Sequence, residues 1–175
     1  VYWNIIIIDN CSSDGTYEYI ENNFPEVKII KNNDNRGYGA GNNIGVDHSK
    51  GRYTVIMNPD TIIEKNCIEE LVKPLENENA LLTTPKIMLY DGSAINTCGT
   101  INNFTGLTFT RGLGKPATEF NKFMYVSGIS GACFALKKEN YLLLNGFDDR
   151  FFLYNEDSDF SWRAHLHGFK ILYVP

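Results

Sequence analysis

Tyr53-Thr54-Val55-Ile56-Met57-Asn58-Pro59-Asp60 sets the architecture of the chain. Tyr53 to Met57 is a mostly apolar run that ends at a polar corner. A run of this length, bounded by turn residues, suits the centre of a parallel sheet covered on both faces. Pro59 lacks the N–H that a ladder needs, so the strand stops there. Asp60 then stands at the carboxyl end of a central strand, the edge of an open α/β sheet where ligands bind. A carboxylate in that place suits a hard divalent cation, and such a cation suits a diphosphate. The simpler reading is a capped turn, since Asn-Pro-Asp is ordinary turn composition. On this stretch alone the simpler reading is the stronger.

Toward the N-terminus, Tyr2 to Asp9 reads as a buried strand, and Asn10 to Gly15 as a cluster of turn formers. Thr16 to Asn22 is a short helix with Ser13 or Asp14 as its N-cap, and Val27 to Ile30 is a second strand. Strand, helix, strand implies a parallel pair with a right-handed crossover. Gly37, Gly39 and Gly41 then allow close backbone approach to a ligand or to a neighbouring strand. A helix over residues 39–49 follows, with Ala40, Ile44 and Asp47 on one side. A glycine-rich helix start beside Arg36 is a ready anion site. A tight turn without a ligand explains the same residues. The spacing matches neither a P-loop nor the dinucleotide fingerprint.

Toward the C-terminus, Asn66 to Asn77 is a helix with the apolar stripe Ile68, Leu71, Val72 and Leu75, which Pro74 kinks or ends early. Ala80 to Thr84 and Lys86 to Leu89 are strands, and Asp91-Gly92 is a turn. From Ser93 to Phe123 the pattern dissolves, either into an acceptor-binding or lid segment or into a β-rich excursion. Small residues from Tyr125 lead into a strand ending at Leu136, and Lys137 to Leu144 is a short helix. An aromatic-rich turn, Gly146 to Tyr154, precedes Asn155-Glu156-Asp157-Ser158-Asp159. That acidic cluster opens a helix running to His167, with Phe160, Ala164 and His167 along one stripe and Gly168 as its stop. Acids in a first turn complement the helix dipole. Three of them exceed what a cap needs, and one could take a proton from a hydroxyl nucleophile. His165 and His167 cannot share a helical face, so at most one is a ligand.

The chain has 175 residues, which suggests one domain, and 43% hydrophobic content supports a substantial core. A net charge of −5 argues against non-specific nucleic-acid binding. The four cysteines are far apart, form no metal spacing and read as reduced thiols of a cytosolic protein. No stretch reaches the length of a membrane span and none reads as a signal peptide. Core strands at both ends of the chain suggest a fragment.

Four stretches occur in a telling order: Ile8 to Thr16, Asn35 to Gly45, Asn58-Pro59-Asp60, and Gly146-Phe147-Asp148 through Glu156-Asp157 to Arg163. Together they resemble the family 2 glycosyltransferases of the GT-A fold, above all the bacterial rhamnosyltransferase-like branch. The resemblance covers nearly the whole chain. It implies an α/β fold with a mostly parallel central sheet flanked by helices, here without the family's first strand and C-terminal region. Residues 1–175 are then a single catalytic domain, with 1–60 its nucleotide-binding half and 61–175 its acceptor-side half.

The resemblance also implies inverting transfer of a sugar from a nucleotide-diphosphate donor, dTDP-rhamnose or a UDP-sugar. Asp9 and Asp14 match positions that hold base and ribose. Arg36, Gly37 and Asn43 match the loop near the nucleotide. Asn58 replaces the first acid of the family's metal motif and contacts ribose or supports the site. Asp60 is the protein ligand of Mn2+ or Mg2+. Asp157 matches the general base, with Glu156 sharing or supporting that role. The implied acceptor is a saccharide or lipid-linked saccharide in cell-surface polysaccharide synthesis, which places the enzyme in the cytoplasm with a peripheral contact to the inner membrane face. Two other readings compete: a nucleotidyltransferase of related fold, for which a basic phosphate loop is missing, and a non-catalytic carbohydrate-binding module, which needs neither Asp60 nor Arg36.

Overall fold

The computed structural model describes residues 3–79 and 81–175. Tyr2, at the expected start of the first strand, and Ala80, expected to open a later one, lie outside the described residues. The first unit is strand β1 (Ile6–Asp9), helix α1 (Thr16–Asn23) and strand β2 (Lys28–Lys31). β1 and β2 pair in parallel, from Ile6 opposite Lys28 to Asp9 opposite Lys31, as the crossover requires. The N-cap of α1 is neither Ser13 nor Asp14 but Gly15, at φ 86°. Asp14 acts from one residue further back, accepting the Thr16 N–H at 3.0 Å.

Helix α2 (Gly37–His48) packs on β1 and leads to β3 (Tyr53–Met57). Its buried face is Gly39, Ala40, Gly41 and Val46, whereas Asp47 is exposed. Small residues bring this helix close to the strand, so the face carries little side-chain bulk. Helix α3 (Cys67–Asn77) runs straight through Pro74 and buries Leu71 and Leu75 on its predicted stripe. Strands β4 (Leu81–Pro85), β5 (Ile87–Met88), β6 (Ile95–Thr97), β7 (Thr100–Asn102) and β8 (Thr108–Thr110) follow. β5 with β6 and β7 with β8 are short antiparallel pairs, so the region that looked patternless is a β-rich excursion. Then come β9 (Met124–Val126), β10 (Cys133–Lys137), α4 (Lys138–Leu143), α5 (Glu156–Leu166) and β11 (Lys170–Val174).

The main sheet has the order β3-β10-β4-β11-β9. Two expectations change here. The sheet is mixed rather than mostly parallel: β10 is antiparallel to both β3 and β4, β9 is antiparallel to β11, and only β4 with β11 is parallel. The strand Tyr53–Met57 is terminal in that order rather than central. The reason is one insertion. A crossover through α3 would make β3 and β4 neighbours, but β10 returns from the excursion and fits between them. β10 is therefore buried throughout, as is β4, whereas β3 alternates half-buried with buried residues and ends exposed at Met57. An aromatic cluster on this strand fixes the last third of the chain. Phe147 lies 5.9 Å from Phe134, 5.8 Å from Tyr141 and 5.2 Å from Phe160, ring centre to ring centre. It holds the aromatic turn and α5 against β10.

Candidate active site

Asp157, Ser161 and His165 are four residues apart and share one face of α5. Each meets the segment Ser127-Gly128-Ile129-Ser130-Gly131-Ala132, which runs along the helix and turns at Gly131-Ala132. Asp157 Oδ2 accepts the Gly131 N–H at 3.0 Å, and Ser161 Oγ accepts the Ile129 N–H at 3.1 Å. His165 Nε2 lies 2.7 Å from the Ser127 carbonyl oxygen, a bond in which the ring nitrogen donates. The fit is geometric. Four helical residues rise about 6.0 Å and two extended residues about 6.6 Å, so alternate residues of the segment meet successive turns of the helix. The opposite side of the segment bonds to Thr100 and Thr84. A Cβ on Gly128 would stand 2.2 Å from Thr100 Oγ, so only glycine fits between them. The sequence showed these residues as merely small. The polar spacing of four along α5 was the signal that could have paired them with the helix.

The same segment holds the corner after β3. The Asn58 N–H donates to the Ala132 carbonyl at 3.0 Å, and the Thr61 N–H donates back to the Asn58 carbonyl at 3.3 Å. Asn58 and Asp157 are thus attached to consecutive residues, Ala132 and Gly131. Asp60 is exposed, and its carboxylate has no hydrogen bond or ion pair among the described residues. No group of three or more metal-ligating side chains occurs among those residues. One free carboxylate fits a Mg2+ or Mn2+ ion that takes its remaining oxygens from a diphosphate and water, and does not fit an all-protein metal cage.

α5 begins under strain. Tyr154 and Asn155 both have left-handed backbones, at φ 68° and 69°, a conformation uncommon for non-glycine residues. Immediately after them Glu156 is only 6% exposed, and its Oε2 is buried without a partner. Burial raises its carboxyl above the ordinary range, and the neighbouring Asp157 charge adds to the rise. Asp157 is half-buried, and its Oδ1 accepts the Ser158 N–H at 2.8 Å. Asp159 pairs with Arg163 at 2.8 Å. The three acids therefore do three different things. His167 is exposed and bonds the carbonyl of Arg163 in its own helix, so neither histidine of α5 is placed as a ligand.

The glycine-rich helix start is more closed than its composition suggests. Gly37 has φ +82°, and a Cβ there would sit 2.2 Å from the Phe152 carbonyl oxygen. Its N–H donates to Asn35 Oδ1, the Tyr38 N–H donates to Phe152 O, and Asn10 Nδ2 donates to the Gly37 carbonyl. The close approach is to the aromatic turn, and two first-turn amides are already engaged. Asn43 is similarly occupied. Its Oδ1 accepts from the Tyr141 hydroxyl at 2.6 Å and the Phe147 N–H at 2.9 Å. Its Nδ2 donates to the Phe147 carbonyl and to Asp149. That fills its two acceptor and two donor positions.

Other polar groups on this side remain open. Arg36 is half-exposed and 4.0 Å from Asp149, a weak surface pairing. Asp9 is buried at the end of β1. Its Oδ1 accepts the Ser12 N–H at 3.0 Å, and its Oδ2 is buried without a partner. Asp14 is exposed, and the Thr16 hydroxyl and amide hold its carboxyl below the ordinary range. It lines a hollow with Gly15, Thr16, Tyr19 and Ile20.

Known proteins are similar to this chain in sequence and in fold. Residues 2–142 match the family model described as glycosyl transferase family 2, and α5 lies beyond the matched stretch. A low-salt glycan biosynthesis hexosyltransferase of Haloferax volcanii is 25% identical over 174 residues, covering 95% of this chain and 54% of that protein. An N-acetylglucosaminyl-diphospho-decaprenol L-rhamnosyltransferase of Mycobacterium tuberculosis is 24% identical over 196 residues, covering 98% of this chain and 64% of that protein. The chain therefore spans only part of these relatives. The crystal structure of GalNAc-T7 with UDP, GalNAc and Mn2+ superposes with a TM-score of 0.76 at 20% identity, over 98% of this chain and 36% of that one. The fold is GT-A, and by the extent of the family match the chain belongs to glycosyl transferase family 2.

Proposed function

We propose that this chain is the catalytic core of an inverting glycosyltransferase. It moves a sugar from a nucleotide-diphosphate donor, dTDP-rhamnose or a UDP-sugar, to a saccharide or lipid-linked saccharide in cell-surface glycan synthesis. The observation that carries the reading is the attachment of Asn58 and Asp157 to adjacent residues of one segment. A metal-binding corner and a proton acceptor joined in this way can address opposite sides of one anomeric carbon.

In this reading residues 1–60 bind the nucleotide and 61–175 face the acceptor. The unpartnered Oδ2 of Asp9 and the exposed Asp14 accept hydrogen bonds from base and ribose. Arg36 swings from Asp149 onto the diphosphate. Gly37 and Asn43 act at one remove, by fixing the aromatic turn and Asp149 around Arg36. Asn58 supports the corner beside the ribose. Asp60 would hold the divalent cation, Mn2+ or Mg2+, whose charge stabilises the diphosphate leaving group.

Asp157 takes the proton from the acceptor hydroxyl as its oxygen attacks the anomeric carbon. Its two backbone bonds fix the carboxylate while leaving lone pairs on both oxygens. Glu156, buried beside it in sequence with its carboxyl raised by burial, shares or supports the proton-accepting role. A single displacement inverts the anomeric centre. No helix among the described residues is long and apolar enough to cross a membrane, and a lipid-linked acceptor calls for a peripheral approach to the cytoplasmic membrane face.

Thermal unfolding with UDP, dTDP, GDP and CDP, with and without Mn2+, tests the donor site. A nucleotide at one hundred times its dissociation constant should stabilise the fold by about 2.7 kcal/mol. The expected result is one base that stabilises strongly only with metal, an effect lost in Asp60→Ala. Stabilisation unchanged by Asp60→Ala would remove the metal role of that residue. No response to any diphosphate would remove the donor site.

A further inference from the structure

The hydroxyl of Tyr38 donates to the Gly131 carbonyl, while Asp157 accepts the Gly131 N–H at 3.0 Å. One glycine is therefore held at its amide by the candidate base and at its carbonyl by a residue in the first turn of α2. The Tyr38 backbone N–H is bonded to Phe152 O at 3.0 Å, and its ring packs 5.6 Å from Phe147. Backbone and ring of Tyr38 are thus both held against the aromatic turn. Burial, with the charges of Glu156 and Asp157 adding to it, raises the phenol's pKa well above its ordinary value, so the hydroxyl stays a donor at physiological pH. Gly131 is also the residue before Ala132, whose carbonyl holds Asn58.

We propose that Tyr38 is a positioning residue, coupling the first turn of α2 on the nucleotide side to the orientation of the Asp157 carboxylate through Gly131. This rests on the glycosyltransferase reading for its consequence, though not for its geometry. Movement of the first turn of α2 on donor binding pulls on the Gly131 carbonyl. The Gly131 carbonyl and N–H lie in successive peptide planes that meet at its Cα, so the Tyr38 bond acts by pinning the φ and ψ of a glycine that would otherwise be free to reorient the N–H that fixes Asp157. The acceptor-side base is then aligned when the donor is present. The hydroxyl touches neither the sugar nor the acceptor and acts only through Gly131.

Tyr38→Phe keeps the ring and removes the donor. Amide NMR of the full chain reads the coupling without any turnover. The Gly131 N–H signal should move in Tyr38→Phe and in Asp157→Asn, and Tyr38→Phe should weaken its response to added nucleotide diphosphate. In kinetics, kcat should fall about tenfold with the KM for donor unchanged, as expected for a misoriented rather than an absent group. In an Asp157→Asn background the same substitution should leave the residual rate unchanged. An unmoved Gly131 signal, a loss confined to donor KM, or an equal loss in the Asp157→Asn background would overturn the proposal. Absence of transfer by the unsubstituted chain from every nucleotide sugar would sink the glycosyltransferase reading instead, with the Gly131 signal still deciding the coupling.

Discussion

Two helix starts in this molecule look like sites in the sequence, and they are built in opposite ways. α2 opens with three closely spaced glycines and an arginine, which suggested an anion cradle. Its first amides bond to Asn35 and Phe152, and Asn43 within it has every polar position filled. α5 opens with acids, which suggested ordinary dipole complementation. It is preceded by two left-handed non-glycine residues and contains a buried carboxylate oxygen without a partner. Gly37 admits the backbone of the aromatic turn, Gly39 the side chain of Phe147, and Gly41 that of Asn10. Of the acids of α5, Glu156 is held where one carboxylate oxygen finds no partner. Strain and an unmet hydrogen bond mark a functional position better than glycine content does.

The largest effect that sharpens this contrast is expected at Gly37. An alanine there must adopt φ +82° with its Cβ 2.2 Å from a backbone oxygen. We expect Gly37→Ala to cost about 3 kcal/mol or more, a fall in Tm of roughly 6–12 °C in differential scanning calorimetry. A variant as stable as the parent would mean that the aromatic turn is not packed on α2, and the anion-cradle reading would regain ground. Next comes Asn43→Ala, which strips partners from the Tyr141 hydroxyl and from both backbone groups of Phe147. Its cost should be about 2–3 kcal/mol in urea unfolding, with nucleotide affinity nearly unchanged at temperatures where the variant is folded. Lost affinity at full stability would show direct contact with the ligand.

How much of this was legible follows the range of the interactions. The β1–α1–β2 unit was clear from local turn formers, and the acidic start of α5 from its composition. The parallel pair followed from a crossover rule that needs only neighbouring segments. The insertion of β10 was not legible, because it depends on Cys133–Lys137 finding Tyr53–Met57 across an excursion that carries almost no periodicity. The paired strands of that excursion are only two or three residues long, too short to show alternation. The candidate site shows the same division. Each motif stood out by itself, but the residues that join them, Tyr38, Gly131, Ala132, Ser161 and His165, are ordinary types whose meaning comes from register. Asp157 carried the base role that the resemblance implied, but its link to Ser161 and His165 shows only once the segment they clamp is in view.

The smallest expected effect tests the other helix start. Glu156 is the residue whose burial is least compensated, and its carboxyl is raised in the folded chain. The folded state therefore binds its proton more tightly than the unfolded state does. By linkage, stability falls as pH rises through the carboxyl's range, and the penalty is fully present once the folded chain has lost that proton. It is absent below the carboxyl's unfolded value. Glu156→Gln removes the titrating group while keeping its length. We expect a stability change within about 1 kcal/mol at pH 7, together with a flatter dependence of stability on pH across the acidic range. Urea unfolding of both chains at several acidic pH values measures this. If the two profiles are parallel, the carboxylate has a partner in solution, and the contrast between a satisfied α2 and an unsatisfied α5 loses its chief support. If they converge only at low pH, the buried charge is a standing cost that the fold tolerates. A cost retained beside a half-buried proton acceptor is what the first turn of a catalytic helix should carry.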